Sequence, residues 1–297
     1  MKVFVTGVCG QLGYDVIKEC LKRNIQVVGS DIADQGGSKL SDFVRLDITD
    51  EQAVLQVISE ISPDAVIHCA AWTAVDAAED NADKVFAINA KGTGYIAKAC
   101  KQINAKMLYI STDYVFDGLG EEPWKPDCTS YAPLNVYGAS KLAGELLVRE
   151  TLDRFFIVRI SWVFGENGNN FIEKMLSLGK SHSELRVVSD QIGTPTYTLD
   201  LSRLLVDMVS TTSYGYYHAT NEGGYISWYE FACEIFRQAG YSVKVIPVKT
   251  EEYGASKAKR PFNSRLDKSK LQENGFALLP PWQDALSRFL QNKRSKE

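Results

Sequence analysis

Short runs of apolar, β-prone residues recur along the first half of the chain, at positions 3–6, 26–29, 43–46, 65–69, 107–110 and 155–160. Within each run the apolar residues are nearly continuous rather than alternating, the pattern of strands buried on both faces. Between the runs, apolar positions fall at helical spacing, as in Val16, Ile17, Cys20 and Leu21, or Val54, Leu55, Ile58 and Ile61. Strands alternating with amphipathic helices predict an α/β fold with a doubly wound parallel sheet over residues 1–160. Beyond residue 160 the rhythm loosens, with loop-like stretches at 165–170 and 191–195. Two helical patterns stand out there: Leu201, Leu204, Leu205 and Met208, and then Trp228, Phe231, Ala232, Ile235 and Phe236. The aromatic side chains of the second read as core rather than as cofactor contacts. Residues 161–297 are expected to form a smaller, mixed α/β substrate-binding domain over the carboxyl ends of the strands, with a segment near 193–212 returning to the first domain.

The charge balance narrows the partners. A formal net charge of −4 gives no electrostatic footprint for nucleic acid. The locally basic stretch Asn292-Lys293-Arg294-Ser295-Lys296 reads as a frayed, solvated terminus. No run approaches the roughly 20 apolar residues of a membrane span, and the amino terminus has no leader pattern. A soluble, cytoplasmic protein is expected. The six cysteines form no Cys-x-x-Cys pair and the three histidines lie far apart, so neither a disulfide framework nor a metal site is predicted. His68, inside an apolar strand pattern, reads as a core residue.

Candidate chemistry begins at the first strand–helix junction, Val5-Thr6-Gly7-Val8-Cys9-Gly10-Gln11-Leu12-Gly13. Gly7 permits the tight turn, Gly10 lets backbone approach a pyrophosphate, and Gly13 lets helix and strand pack closely. The helix that follows offers free N–H groups to phosphates, so the first domain reads as a Rossmann-like nucleotide-binding unit. Asp31 stands eighteen residues after Gly13, where a carboxylate bonds the adenosine ribose or, on the competing reading, stabilises a strand-end turn. A carboxylate there argues for NADH over NADPH, although Lys39 in the next loop could compensate. Asp47 and Ile48 are placed to meet the adenine, and Ala70, Ala71 and Trp72 to line the path to a nicotinamide. Further on, Tyr137 and Lys141 share a helix face at i and i+4, so the ammonium is expected to lower the phenol from its usual ~10.

The glycine loop, Ser111-Thr112-Asp113 and Tyr137…Lys141 together resemble the extended short-chain dehydrogenase/reductases, which use a Ser/Thr, Tyr, Lys trio with a nicotinamide cofactor. Further blocks are similar to one branch, the dTDP-4-dehydrorhamnose reductases: Ala70-Ala71-Trp72-Thr73-Ala74-Val75-Asp76, Ser111-Thr112-Asp113-Tyr114-Val115-Phe116-Asp117-Gly118, Arg159-Ile160-Ser161-Trp162-Val163-Phe164-Gly165, Asp190-Gln191-Ile192-Gly193-Thr194-Pro195-Thr196, and Arg260-Pro261 with Ser264-Arg265-Leu266-Asp267. The resemblance spans nearly the whole chain. It implies reduction of a dTDP-linked 4-keto-6-deoxy sugar by NADH or NADPH, with Tyr137 as proton donor, Lys141 as its electrostatic partner and ribose anchor, and Thr112 as the hydrogen-bond partner of Tyr137. It also implies cofactor contacts from Gly10, Gln11, Leu12, Asp47, Ile48, Ala70, Ala71, Trp72, Tyr137 and Lys141, and substrate contacts from Thr112, Asp113 and Trp162. Trp72 departs from the Tyr or His expected of relatives. Asp113 is also readable as a turn-stabilising carboxylate, and Arg260 as either a diphosphate ligand or a surface ion pair. Some relatives bind magnesium at a dimer contact, for which no ligands are placed here; the chain is expected to be a monomer or homodimer. A nucleotide-sugar epimerase or dehydratase, and a non-catalytic subunit similar to the regulatory subunit of methionine adenosyltransferase, are the competing readings.

Overall fold

The computed structural model describes residues 1–33, 42–254 and 256–295. Its first strand shows why the apolar runs are continuous. In β1 (Lys2–Thr6), Val3 and Val5 face one buried layer while Phe4 faces the other. Val3 and Val5 pack with α1 (Gln11–Lys22), and Phe4 packs with α2 (Glu51–Ile61) and α3 (Thr93–Gln102). A strand covered on both faces has no position at which a polar side chain would reach water.

The other strands of this sheet are β2 (Gln26–Asp31), β3 (Phe43–Arg45), β4 (Ala65–His68), β5 (Lys106–Thr112), β6 (Phe155–Ile160) and β7 (Gly215–His218). Among the described residues they lie in the order β7-β6-β5-β4-β1-β2-β3, every neighbouring pair parallel. The chain builds outward from β1 to β3 and then crosses back to start β4 on the other side of β1. That reversal opens a crevice at the carboxyl ends of β1 and β4, the usual ligand position in a doubly wound sheet. Two strands run further than the apolar pattern predicts. Ser30 and Asp31 extend β2, and Ser111 and Thr112 extend β5, so polar residues are carried to the crevice by ladder pairing. The seventh strand, Gly-Tyr-Tyr-His, lacks an aliphatic run and is formed by pairing with β6.

On one face, α6 (Thr198–Val209) lies against α1; on the other, α4 (Val136–Thr151) joins α2 and α3. A third apolar cluster holds α5 (Phe171–Gly179), α7 (Trp228–Ala239) and α8 (Trp282–Arg294). Helix α7 begins with a capping box in which Ser227 and Glu230 satisfy each other's backbone N–H groups, and it ends at Gly240 with φ +77°. The carboxyl terminus corrects the expectation of a frayed tail. Phe289 and Leu290 are buried, and α8 runs on to Arg294. Lys293 pairs with Glu173 at 2.7 Å and Arg294 donates to the Gln238 carbonyl, while Lys296 lies outside the described residues. No helix among them is long and apolar enough to cross a membrane.

Candidate active site

The crevice is a cleft of about 780 Å³ whose wall includes every site residue proposed above: Gly7, Gly10, Gln11, Leu12, Gly13, Asp31, Asp47, Ile48, Ala70, Ala71, Trp72, Thr112, Asp113, Tyr137, Lys141 and Trp162. At its nucleotide end, Gly7 adopts φ +73°, and a Cβ there would sit 2.6 Å from the Ala70 nitrogen. A Cβ on Gly13 would overlap the Gly7 carbonyl, so helix and turn close only because both side chains are missing. The Asp31 carboxylate accepts from the backbone N–H of Cys9 at 3.0 Å and of Ala33 at 3.2 Å. Asp31 therefore holds the turn and also lines the cleft. Lys39 lies outside the described residues. The Gln11 side chain leaves the loop to meet Asn169 and Asn170, and Asn167 donates to the Cys9 carbonyl at 2.9 Å. These asparagines tie the glycine loop to the segment after β6.

Behind the cleft, buried polar groups join β1, β4 and α4. Thr93 donates to the Asn89 carbonyl, so its oxygen accepts from Nε2 of His68 (3.1 Å) and Nδ1 accepts from Thr6 (2.7 Å). Burial, with Lys141 nearby, pulls His68 down to about 3, and the ring is neutral. Asn89, fully buried in a wide helical turn (Ala87–Gly92), accepts from the Trp72 N–H at 2.7 Å and donates to Ser140 at 2.9 Å. Ser140 in turn donates to the Tyr137 carbonyl. Asn89 thus fixes the strand-end loop against the helix that carries Tyr137 and Lys141. Sequence reasoning missed it; the available signal was one amide inside an apolar helical stretch.

Helix α4 starts at Asn135, whose side chain accepts from the Gly138 N–H at 2.8 Å. Tyr137 and Lys141 share its inner face, but the expected lowering of the phenol is corrected. Burial pushes Tyr137 well above its ordinary value; Asp113 and Tyr114 add to this and a hydrogen bond to Thr112 opposes it. Lys141 reaches past the phenol instead, its Nζ lying 4.1 Å over the Tyr109 ring. Lys141 is 3% exposed, and burial brings its ammonium down to about 7 against the pull of Glu145 and Cys69.

At the substrate end, Thr112 donates to Oδ1 of Asp113 at 3.0 Å. The other carboxylate oxygen is buried with no partner in hydrogen-bond geometry. Burial raises Asp113 to about 6 against the hydrogen bonds from Ser264 and Thr112. Trp162 holds φ +51°, uncommon for a bulky residue. Its indole stacks on Trp228, centroids 3.7 Å apart, and Gly193 leaves the room it needs. Trp228 lines the cleft as well as packing against Phe171 and Phe231, so reading it as core alone is corrected. Arg260 pairs with Asp76 at 2.7 Å and approaches the Tyr114 hydroxyl, which settles it as an ion pair in this state. Among the described residues no three His, Cys, Asp or Glu side chains converge as a metal site.

A doubly wound sheet with a glycine loop at its first turn and a Thr, Tyr, Lys trio at its crevice defines a nicotinamide-dependent oxidoreductase of the short-chain dehydrogenase/reductase type. The family model described as RmlD substrate binding domain matches residues 1–295. The chain belongs to that family, the dTDP-4-dehydrorhamnose reductases. It is 39% identical over 294 residues to the spore coat polysaccharide biosynthesis protein SpsK of Bacillus subtilis, covering 99% of this chain and 98% of SpsK. A dTDP-4-dehydrorhamnose reductase structure from Clostridium acetobutylicum superposes with a TM-score of 0.92 at 40% identity, covering 99% of this chain and all of the other. The Bacillus anthracis enzyme, solved in complex with NADP, gives 0.90 at 43% identity over 98% of this chain and 99% of its own.

Proposed function

We propose that this protein reduces the C4 ketone of dTDP-4-dehydro-6-deoxy-L-mannose (dTDP-4-dehydrorhamnose) with NADH or NADPH to give dTDP-L-rhamnose. The observation that carries the reading is the convergence of Tyr137, Thr112, Lys141 and a half-satisfied Asp113 in one cleft. The residues fit a dinucleotide: Gly7 and Gly13 admit no side chain, and the start of α1 has no side-chain cap competing for its N–H groups. When bound, the nicotinamide supplies a hydride to C4 of the ketone. Tyr137 donates its proton to the carbonyl oxygen as negative charge develops there. Thr112 orients that hydroxyl, and Lys141 would hold the cofactor ribose. The unpaired oxygen of Asp113 accepts a sugar hydroxyl, and Trp162, braced by Trp228, packs against the sugar nucleotide. Asp31 favours NADH at the adenosine end.

Loss of NADH absorbance on adding the dTDP-4-keto-6-deoxy sugar, with the product resolved by stereochemistry, tests the proposal. Stoichiometric consumption with a rhamnose product supports it. Isomerised sugar with unchanged NADH would assign an epimerase, and no change in either would assign a binding module.

Two outcomes follow from the electrostatics. Lys141 is charged below about pH 7 in the free protein and loses its proton above it. If only the charged form anchors the ribose, the NADH dissociation constant should rise about tenfold per pH unit between 7 and 9, because the competent fraction falls by that factor. Lys141→Met should bind weakly with no such dependence; a flat wild-type constant from pH 6 to 9 would rule the anchor out. Asp113→Asn exchanges an acceptor for a donor at the sugar, and KM for the sugar nucleotide should rise by roughly tenfold or more, the worth of one charge-assisted hydrogen bond. NADH affinity should stay unchanged, and an unaltered KM would remove Asp113 from the sugar site.

A further inference from the structure

We propose that Tyr109 is a positioning residue of the cofactor site: the face of its ring seats the Lys141 ammonium at the cleft wall and leaves the N–H groups of that ammonium free for the cofactor. The proposal rests on the nicotinamide-cofactor reading of the cleft and concerns what prepares Lys141 before the cofactor arrives.

The seat begins in the apolar run of β5. Tyr109 lies within it and packs in the buried cluster that also holds Val148 of α4. Ladder register sets His68 beside it on β4, and the two rings stack with centroids 5.6 Å apart. Both nitrogens of His68 are taken, by Thr6 and by Thr93, so that ring is fixed in turn. The Tyr109 hydroxyl lies 3.3 Å from the Asn89 carbonyl oxygen and 3.4 Å from that of Lys141 itself. The second contact keys the ring to the stretch of α4 that carries the lysine. The helix closes over the ring because residue 144 is glycine. A Cβ there would sit 2.5 Å from the Tyr109 hydroxyl oxygen and 2.5 Å from the Asn89 carbonyl oxygen. Stack, hydroxyl and helix thus hold the ring with a face turned to the Lys141 Nζ at 4.1 Å.

The surroundings of the ammonium make this ring its main partner. The titratable groups around it are Tyr137 and Glu145 on its own helix, His68 and Cys69 at the end of β4, and Tyr109 on β5. Burial keeps His68, Cys69 and both phenols neutral. Glu145, the one acid among them, commits both carboxylate oxygens to Arg159. Among the described residues the Lys141 ammonium has no hydrogen bond and no ion pair. A buried cation in that position needs another source of stabilisation, and the negative face of an aromatic ring supplies it. A π face has no lone pair with which to tie down an N–H group. It therefore supports the charge without competing with the ribose hydroxyls, which a carboxylate in its place would do.

The test reads the charge on Lys141 directly. NMR of protein carrying lysine labelled with carbon-13 at Cε is followed from pH 5.5 to 9, the Lys141 signal being the one missing from Lys141→Met. Fluorescence titration of NADH covers the same range. In Tyr109→Leu the Lys141 midpoint and the onset of weak NADH binding should both move down by about one pH unit, the worth of a desolvated cation–π contact. At pH 5.5, where both proteins carry the charge, their NADH affinities should agree within about twofold. Tyr109→Phe keeps the ring face and should keep both values, although its thermal midpoint falls with the lost hydroxyl. Trifluorination of that phenylalanine ring drains its face at nearly constant shape, and should move both values most of the way to those of Tyr109→Leu. This protein decides the matter if Tyr109→Leu fails to fold. Values unmoved in the leucine and trifluorinated proteins, or an affinity lost equally at every pH, would make Tyr109 a packing residue and overturn the proposal. If the Lys141 midpoint moves while NADH binds neither wild type nor variant at any pH, the seat stands and the cofactor reading of the cleft fails, a separate and recognisable result.

Discussion

Tyr137→Phe is expected to lower turnover at least about 100-fold while NADH affinity stays nearly constant, because one well-aligned donor to a developing oxyanion is worth about 2.7–4 kcal/mol. The environment of the phenol sets both halves of this outcome. Burial and the neighbouring Asp113 hold the proton on Tyr137 across the neutral range. The residue thus enters the reaction as an acid, the form that reduction of a ketone requires. An alkoxide forming on the substrate is a much stronger base than a phenolate, so a raised phenol still gives up its proton downhill. Thr112 is a poor substitute: its hydroxyl already donates to Asp113 at 3.0 Å and its oxygen accepts the Tyr114 N–H. The phenyl ring of the variant keeps the edge-to-face contact with Tyr114, so packing around the cofactor is preserved. Single-turnover rates with saturating NADH, alongside fluorescence titration of NADH, separate the chemical step from binding. Near-wild-type turnover would end the assignment of Tyr137 as proton donor.

What the chain disclosed in advance follows from how local each feature is. Strands buried on both faces write themselves as apolar runs, and a phosphate-binding turn needs its glycines within seven positions, so both were legible. Tyr137 and Lys141 were legible as a pair because a helix sets their spacing. Their electrostatics were not, since the ammonium finds the ring of Tyr109 and the phenol finds Thr112, partners that only the β5–α4 packing supplies. The same holds for Asn89, whose partners lie up to 51 residues away. Trp228 was misread because its helical spacing with Phe231 and Ile235 is real. It is a core residue that also reaches the cleft, and periodicity cannot distinguish the two.

The largest effect on the fold is expected from Glu145→Ala. Glu145 follows Lys141 by one helical turn and is completely buried, as is Arg159 on β6. Their contact is bidentate, at 2.7 and 2.9 Å. Arg159 also donates to the Pro126 carbonyl and to Tyr131, and its guanidinium lies 4.9 Å from the Phe116 ring centre and 4.8 Å from that of Tyr216. His218 beside it is kept neutral by burial and by this same cation. Removing the carboxylate strands a desolvated guanidinium, and a broken buried pair typically costs about 3–5 kcal/mol. Against a total stability of about 5–15 kcal/mol this removes a large share of the margin, and the urea midpoint should fall accordingly. Glu145 also supports the charge on Lys141. Replacing both partners, Glu145→Leu with Arg159→Met, should therefore restore most of the stability, since no uncompensated ion remains. It should not restore cofactor binding at neutral pH, because Lys141 then loses its proton at lower pH and the onset of weak NADH binding moves down with it. Urea unfolding of the three proteins and the pH dependence of NADH binding in the double variant read the two roles apart. A Glu145→Ala protein within about 1 kcal/mol of wild type would show that water reaches Arg159, and an unmoved pH onset in the double variant would show that Lys141 holds its charge without Glu145.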